Sequence, residues 1–145
     1  MPSRAAVSAS VRNFTSGLHA TQGLGVRPRI ITSITDSRGR ELYRQDVEHW
    51  QAVSPQNAYI MATLLKEVVN QGTGGRAKVE GRIIAGKTGT TNDNYDRYFT
   101  GYTPYYCAAV WVGYKNNERI SYSVNPAASL WRQVMENCLL YTSPS

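Results

Sequence analysis

The sequence predicts an α+β domain in which an antiparallel sheet is flanked by helices. Three patterns carry that expectation: β-type runs on either side of short turns, two amphipathic helix patterns that each open on a capping residue followed by proline, and a strand-like meander between them. The 145 residues fit one domain, and 41% hydrophobic residues with 10 Tyr and 3 Trp can furnish an apolar core.

Residues 1–25 mix Ser, Arg, Gly and Ala with no sustained period of 2 or 3.6, which reads as loop or disorder. Asn13-Phe14-Thr15 matches a glycosylation acceptor in letters only and carries no weight. Arg29 to Thr35 and Arg40 to Arg44 are short β-type runs around Asp36-Ser37-Arg38-Gly39, so a β-hairpin is expected. Ser54-Pro55 then opens a helix on which Met61, Leu64, Leu65, Val68 and Val69 share one face. The helix should close at Gln71-Gly72-Thr73-Gly74-Gly75, where glycine permits a left-handed residue. Arg82 to Lys87 reads as a strand leading into the polar loop Thr90 to Asp96. Tyr98 to Tyr102 and Tyr106 to Tyr114 continue an antiparallel meander around Thr103-Pro104. Asn125-Pro126 opens a second helix, with Ala127, Leu130, Trp131, Val134 and Met135 toward the sheet.

Composition excludes several functions. Lys and Arg exceed Asp and Glu by 6, which suits a nucleic acid, an anionic membrane or an anionic wall polymer. The basic residues are scattered and lack the aromatic interleaving of single-strand readers, so no nucleic-acid partner is expected. Cys107 and Cys138 have neither disulfide-scaffold nor zinc spacing, so no metal or cofactor is called for, and Cys107 reads as an inert buried thiol. His19 and His49 have no partner in the sequence and are not site candidates. No run approaches the roughly 18 apolar residues of a membrane span, and residues 1–20 lack a signal peptide's apolar centre. Cys138 to Ser145, CLLYTSPS, matches one reading frame of a transposon-type sequencing adapter and is expected to be foreign to the protein.

Gly81-Arg82-Ile83-Ile84-Ala85-Gly86-Lys87-Thr88 satisfies GxxxxGK[ST], the phosphate loop of nucleotide hydrolases. That loop needs a strand before its first Gly and a helix after its Lys, so that helix N–H groups meet phosphate. Here the strand lies inside the motif and a polar loop follows it, which disfavours nucleotide hydrolysis.

Read forward, Lys87-Thr88-Gly89-Thr90 resembles the K-T-G box of penicillin-binding proteins and serine β-lactamases. Gly72-Thr73-Gly74, Gly101-Tyr102-Thr103-Pro104, Trp111-Val112-Gly113-Tyr114 and Asn125-Pro126-Ala127-Ala128 extend the resemblance, in order and spacing, to the transpeptidase domain of class A (bifunctional) penicillin-binding proteins. It covers Val26 to Asn137 and divides the chain into an N-terminal segment 1–25 read as loop or disorder, a domain portion 26–137 and an adapter-derived segment 138–145. The implied fold is the β-lactamase/transpeptidase-like antiparallel sheet flanked by helices, incomplete here because the family's N-terminal strands are missing. The strand at Tyr106 to Tyr114 should therefore keep an unpaired edge, and the isolated chain should be prone to aggregate.

The resemblance implies acyl transfer through a serine ester during peptidoglycan cross-linking, on the outer face of a bacterial membrane to which the parent protein is anchored. The partners would be a stem peptide ending in D-Ala-D-Ala, or a β-lactam. Lys87 would complete the catalytic relay, while Thr88, Gly89 and Thr90 would bind the substrate as an added strand, with the Thr90 N–H as an oxyanion donor. Physical chemistry agrees with those assignments: Lys87 supplies positive charge for a terminal carboxylate, the two Thr hydroxyls can donate to it, and Gly89 lacks the Cβ that would block close approach. No serine here is followed three residues later by lysine, so the nucleophile box is absent and the isolated chain should not be acylated. A catalytically inactive wall-binding or scaffolding module is the alternative. Ser123-Val124-Asn125 fits the family's Ser-x-Asn box in letters, but it lies after K-T-G rather than before it and reads as a helix cap. Asp93 and Asp96 read as turn formers rather than a catalytic pair, and Trp111 and Trp131 as core residues.

Overall fold

Ser54 and Asn125 each do what a polar residue before proline predicts. The Ser54 hydroxyl accepts from the Asn57 N–H at 3.3 Å, opening helix α1 (Pro55–Asn70), and the Asn125 carboxamide accepts from the Ala127 N–H at 2.9 Å, opening helix α2 (Pro126–Leu139). These come from a computed structural model that describes residues 21–27 and 29–140, so Asn13-Phe14-Thr15 and His19 lie outside the described residues.

The strands in chain order are β1 (Leu24–Val26), β2 (Ser33–Thr35), β3 (Glu41–Arg44), β4 (His49–Gln51), β5 (Ala85–Thr90), β6 (Asp96–Tyr102) and β7 (Cys107–Gly113). They make two antiparallel pairs, β1-β4 and β2-β3, and an antiparallel β5-β6-β7 sheet. The expected hairpin is present as β2-β3. Its turn is built by Asp36, whose Oδ1 accepts from the N–H groups of Arg38 and Arg40, both at 2.9 Å, and by Gly39 at φ +79°.

Two local expectations need correction. β1 begins inside the segment read as loop and pairs with His49–Gln51, because three-residue strands are too short to show a period and are recruited by pairing across the chain. The end of α1 uses no left-handed glycine, since the only glycines at positive φ among the described residues are Gly23, Gly39 and Gly81. What the loop after α1 needs is closeness: a Cβ on Gly72 would lie 2.9 Å from the Val68 carbonyl oxygen, and one on Gly74 3.1 Å from the same atom.

The main sheet is held on one face by α2. Phe99 and Trp131 are fully buried and meet edge to face, with centroids 5.3 Å apart at 69°, and the indole N–H donates to the Ala108 carbonyl at 3.1 Å. Each such ring removes about 150–250 Å² from water, contributing about 4–6 kcal/mol at 25 cal/mol per Å² as an upper bound. Gly86 and Gly101 face each other across β5 and β6, and the Phe99 ring lies over both; a Cβ on either would come within 2.6 Å of it. Ala127, Ala128, Met135 and Leu139 complete the helix side of this core, while Val134 is exposed. The buried ridge advances four residues at a time, through 127, 131, 135 and 139, which turns Val134 away. Leu139, within the stretch read as adapter, is 2% exposed, and its carbonyl accepts from Arg82 Nη2 at 2.8 Å.

On α1 only Ala58 and Val69 are buried, whereas Tyr59, Ile60, Met61 and Leu64 are exposed. Of the expected stripe, Met61 and Leu64 are exposed, Leu65 and Val68 are half-buried and Val69 is buried, so it is a packed face only toward its C-terminal end. Among the described residues β5 and β7 are the edges of the main sheet, so β7 keeps the unpaired edge that the resemblance implied.

Candidate active site

Lys87-Thr88-Gly89-Thr90 lies wholly on β5, in register with Thr100, Phe99, Tyr98 and Arg97. The strand starts later and ends later than sequence alone predicts, because its ladder with β6 continues to Thr90 opposite Arg97 before the chain turns. The strand runs through the lysine and the next element is β6 rather than a helix, which is not the order of a phosphate loop.

Among the described residues the other side of β5 has no strand partner. The Thr91 N–H donates inward to the Asp96 carbonyl at 3.2 Å, so strand alternation turns the N–H groups of Thr88 and Thr90 outward, to the open edge. An extended chain laid along this edge would meet donors at every second residue.

The side chains are organised around Thr88 and Thr90. Lys87 is exposed, and its ammonium donates to the Thr88 carbonyl at 3.0 Å and more weakly to the Thr88 hydroxyl at 3.4 Å. The Thr88 hydroxyl also lies 2.9 Å from that of Thr73, which stands in the loop that Gly72 and Gly74 allow to fold tightly against Val68. On the far side, Arg97 Nη1 donates to the Thr90 hydroxyl at 2.9 Å. A hydroxyl that accepts from a cation keeps its own proton available to a further acceptor. Gly89 has a reason internal to the sheet besides the one expected: a Cβ there would crowd the Tyr98 Cβ at 3.1 Å.

Thr73 and Arg97 are the residues sequence reasoning missed. Thr73 was visible inside Gly72-Thr73-Gly74 but carried no role. Arg97 reaches Thr90 only through the β5-β6 register, which spans a five-residue loop whose length no local pattern specifies.

The remaining candidates resolve as structure. Asp93 is ion-paired with Arg119 at 3.2 Å, and Asp96 accepts from the Trp111 indole at 2.8 Å while its own N–H donates to the Thr91 hydroxyl at 2.9 Å. Asn125 caps α2, and its Nδ2 donates to the Tyr98 carbonyl at 3.0 Å, tying the helix start to β6. Trp131 is core as expected, and Trp111 is half-buried over Gly113. Cys107 is a correction: it opens β7 and is exposed rather than buried, although packing near its sulfur pushes the thiol pKa up and disfavours the thiolate. A cavity of about 390 Å³ lies between α1 and the strand ends, lined by Tyr59, Thr63, Lys66, Ala85, Tyr102 and Pro104 among others, and it does not include Lys87 to Thr90. Burial there, with a smaller contribution from Cys107, pushes the Tyr102 phenol up to about 12. Among the described residues no helix is long and apolar enough to cross a membrane.

Residues 19–136 match the penicillin binding protein transpeptidase domain. Penicillin-binding protein 1A of Clostridium acetobutylicum is 39% identical over 121 residues, which is 83% of this chain and 15% of that protein. The chain thus spans about a sixth of the length of such relatives. Among solved structures, penicillin-binding protein PonA1 of Mycobacterium tuberculosis superposes with a TM-score of 0.77 at 22% identity, covering 91% of this chain and 38% of that one. Penicillin-binding protein A of the same organism, solved as an imipenem acyl-enzyme complex, superposes with a TM-score of 0.67 at 24% identity, covering 87% of this chain and 30% of that one. Together with the edge-strand placement of Lys87 to Thr90, these findings mean that the chain belongs to the penicillin-binding protein transpeptidase family, on its class A branch, as a fragment of the transpeptidase domain.

Proposed function

We propose that this chain supplies one wall of the active site of a peptidoglycan D,D-transpeptidase. The observation that carries the reading is the open edge of β5, where Lys87, Thr88, Gly89 and Thr90 stand beside outward N–H groups. A stem peptide ending in D-Ala-D-Ala lies along that edge as an added strand, and a β-lactam takes the same position. The Thr88 and Thr90 hydroxyls donate to the terminal carboxylate, Lys87 supplies positive charge and completes the proton relay, and the Thr90 N–H serves as one oxyanion donor. The serine that forms the acyl-enzyme, together with its Ser-x-x-Lys and Ser-x-Asn boxes, comes from a part of the parent protein outside this chain. The parent is held at the extracytoplasmic face of the bacterial membrane. Residues 26–137 are the native domain portion, and 138–145 derive from an adapter, which the coding DNA tests directly.

Fluorescent penicillin tests the assignment. Full-length parent protein takes up the label covalently and loses it on Lys87→Ala, while the 145-residue chain takes up none. Labelling of the chain itself would place a nucleophile within it and sink the reading; a full-length protein with intact serine boxes that fails to label would reduce the domain to a scaffold.

A further inference from the structure

We infer that Arg97 is a positioning residue for the acid end of the substrate, through its hold on Thr90. This rests on the proposed function above and adds a residue to that site. Arg97 and Thr90 face each other across β5 and β6 as a pair whose backbone N–H and C=O groups do not bond each other, the arrangement in which opposed side chains come closest. The guanidinium donates Nη1 to the Thr90 hydroxyl at 2.9 Å.

Two further observations say that this cation is unfinished. Arg97 is half-buried, and its Nε is buried without a hydrogen-bond partner among the described residues. Among the described residues Arg97 also makes no ion pair, unlike Arg27, Arg40, Arg44, Arg119 and Arg132, each of which has a carboxylate partner. The carboxylate next to it in sequence, Asp96, is engaged by Trp111 instead. A half-buried guanidinium with no anion is costly unless something anionic completes it, and its planar fork suits a carboxylate.

Lys87 likewise has only Thr88 oxygens for partners among its hydrogen bonds, so the Thr88-Gly89-Thr90 edge lies between two cations without a described counter-ion. Arg97 fixes the Thr90 hydroxyl as an acceptor toward itself. The hydroxyl proton is then directed to the open edge, where the carboxylate of the stem peptide or of a β-lactam arrives. The positive charge behind Thr90 strengthens that hydrogen bond without the guanidinium itself having to move.

The test uses the full-length parent protein and two probes, benzylpenicillin and its methyl ester, which lacks the carboxylate charge. Arg97→Gln should slow acylation by benzylpenicillin at least about tenfold, the size expected for one charge-assisted hydrogen bond. The methyl ester should lose less than about threefold, and Arg97→Lys should fall between wild type and Gln because it keeps charge but not the fork. An equal loss for both probes would mean that Arg97 only holds the sheet together, and an unchanged benzylpenicillin rate would remove it from the site; either overturns the inference. Wild-type protein that takes up neither probe would instead overturn the proposed function, so the two failures are distinguishable. Thermal melts of Arg97→Gln and Arg97→Lys within a few degrees of wild type confirm that the rates compare folded proteins.

Discussion

Helices α1 and α2 begin alike and are packed oppositely. Each opens on a polar cap and a proline, and each carries an apolar stripe. Along α2 that stripe is covered: Trp131, Met135 and Leu139 are at most 3% exposed against Phe99 and Val110 of the sheet. Along α1 the stripe is bare at its start, with Met61 41% and Leu64 57% exposed, half-covered at Leu65 and Val68, and enters the same core only at Val69. Amphipathic sequence thus states a demand for a partner, and burial shows whether this chain contains it. For α2 it does; for the start of the α1 stripe, at Met61 and Leu64, nothing among the described residues meets the demand, in keeping with a chain that spans a small part of its relatives' length. The site follows the same division. The side of β5 bearing Gly86 is locked to the α2 core by Phe99, while its outer edge is open.

The largest expected effect breaks the covered side. Trp131→Ala should cost about 3–5 kcal/mol, which a small core cannot absorb, so urea unfolding followed by circular dichroism should find no cooperative transition. Leu64→Ala on α1 should change stability by less than about 0.5 kcal/mol. A comparable loss at both positions would mean that α1 is packed in solution and would dissolve the contrast. Replacing Ile60 and Leu64 together by Glu should reduce light scattering of the purified chain, since exposed apolar surface drives association; unchanged scattering would shift the blame to the β7 edge.

Next in size is Gly86→Ala, whose Cβ would meet Phe99 at 2.6 Å and the Thr100 carbonyl oxygen at 2.8 Å. Overpacking of this kind costs about 1–3 kcal/mol, and it should also displace Lys87, so penicillin labelling of the full-length protein should fall with the melting temperature. Asn125→Ala should cost about 1 kcal/mol through loss of the α2 cap, with its bond to Tyr98 lost as well. Acylation of the full-length protein should stay near wild type at a temperature where the variant is folded; a collapse of acylation would reinstate Ser123-Val124-Asn125 as a catalytic box.

Smaller effects lie away from the α2 core. Tyr102→Phe removes a buried hydroxyl that lacks a hydrogen-bond partner among the described residues, so stability should be unchanged or should rise slightly in a melt. In the β2-β3 hairpin, the Arg40 side chain first, and then the Arg40 and Arg38 N–H groups, hold the Asp36 carboxyl below its usual range. A lowered folded pKa means that the stabilisation is complete above the ordinary Asp value and is lost as pH falls through the lowered one. Acid titration followed by amide exchange should therefore loosen this turn before the α2 core, and Asp36→Asn should remove the pH dependence.

Legibility in the sequence tracked the range of the interaction. Caps, the β2-β3 turn, the meander and the K-T-G strand were readable because each depends on neighbours within a few residues. Asp93 and Asp96 are engaged structurally, though not as the turn formers expected: their partners, Arg119 and Trp111, lie 26 and 15 positions away. Three features were not readable. β1 and β4 are too short to have a period and exist because they pair with each other. Cys107 looked buried because its strand is apolar, yet it stands at the strand's exposed start. Gly72 and Gly74 looked like helix closers, and their role is close approach to Val68, which requires the folded loop.

By itself, then, the sequence determined the β2-β3 hairpin, the meander, the two capped helices and the chemistry offered by Lys87-Thr88-Gly89-Thr90, because propensity, capping and motif are carried by adjacent residues. Only the tertiary structure decided which apolar stripe is covered, that β5 is an open edge with the Thr88 and Thr90 N–H groups turned outward, and that Thr73 and Arg97 grip the two hydroxyls from either side. Those are matters of strand register and of contact between residues 7 and 15 positions apart, distances over which no local pattern in this chain specifies geometry.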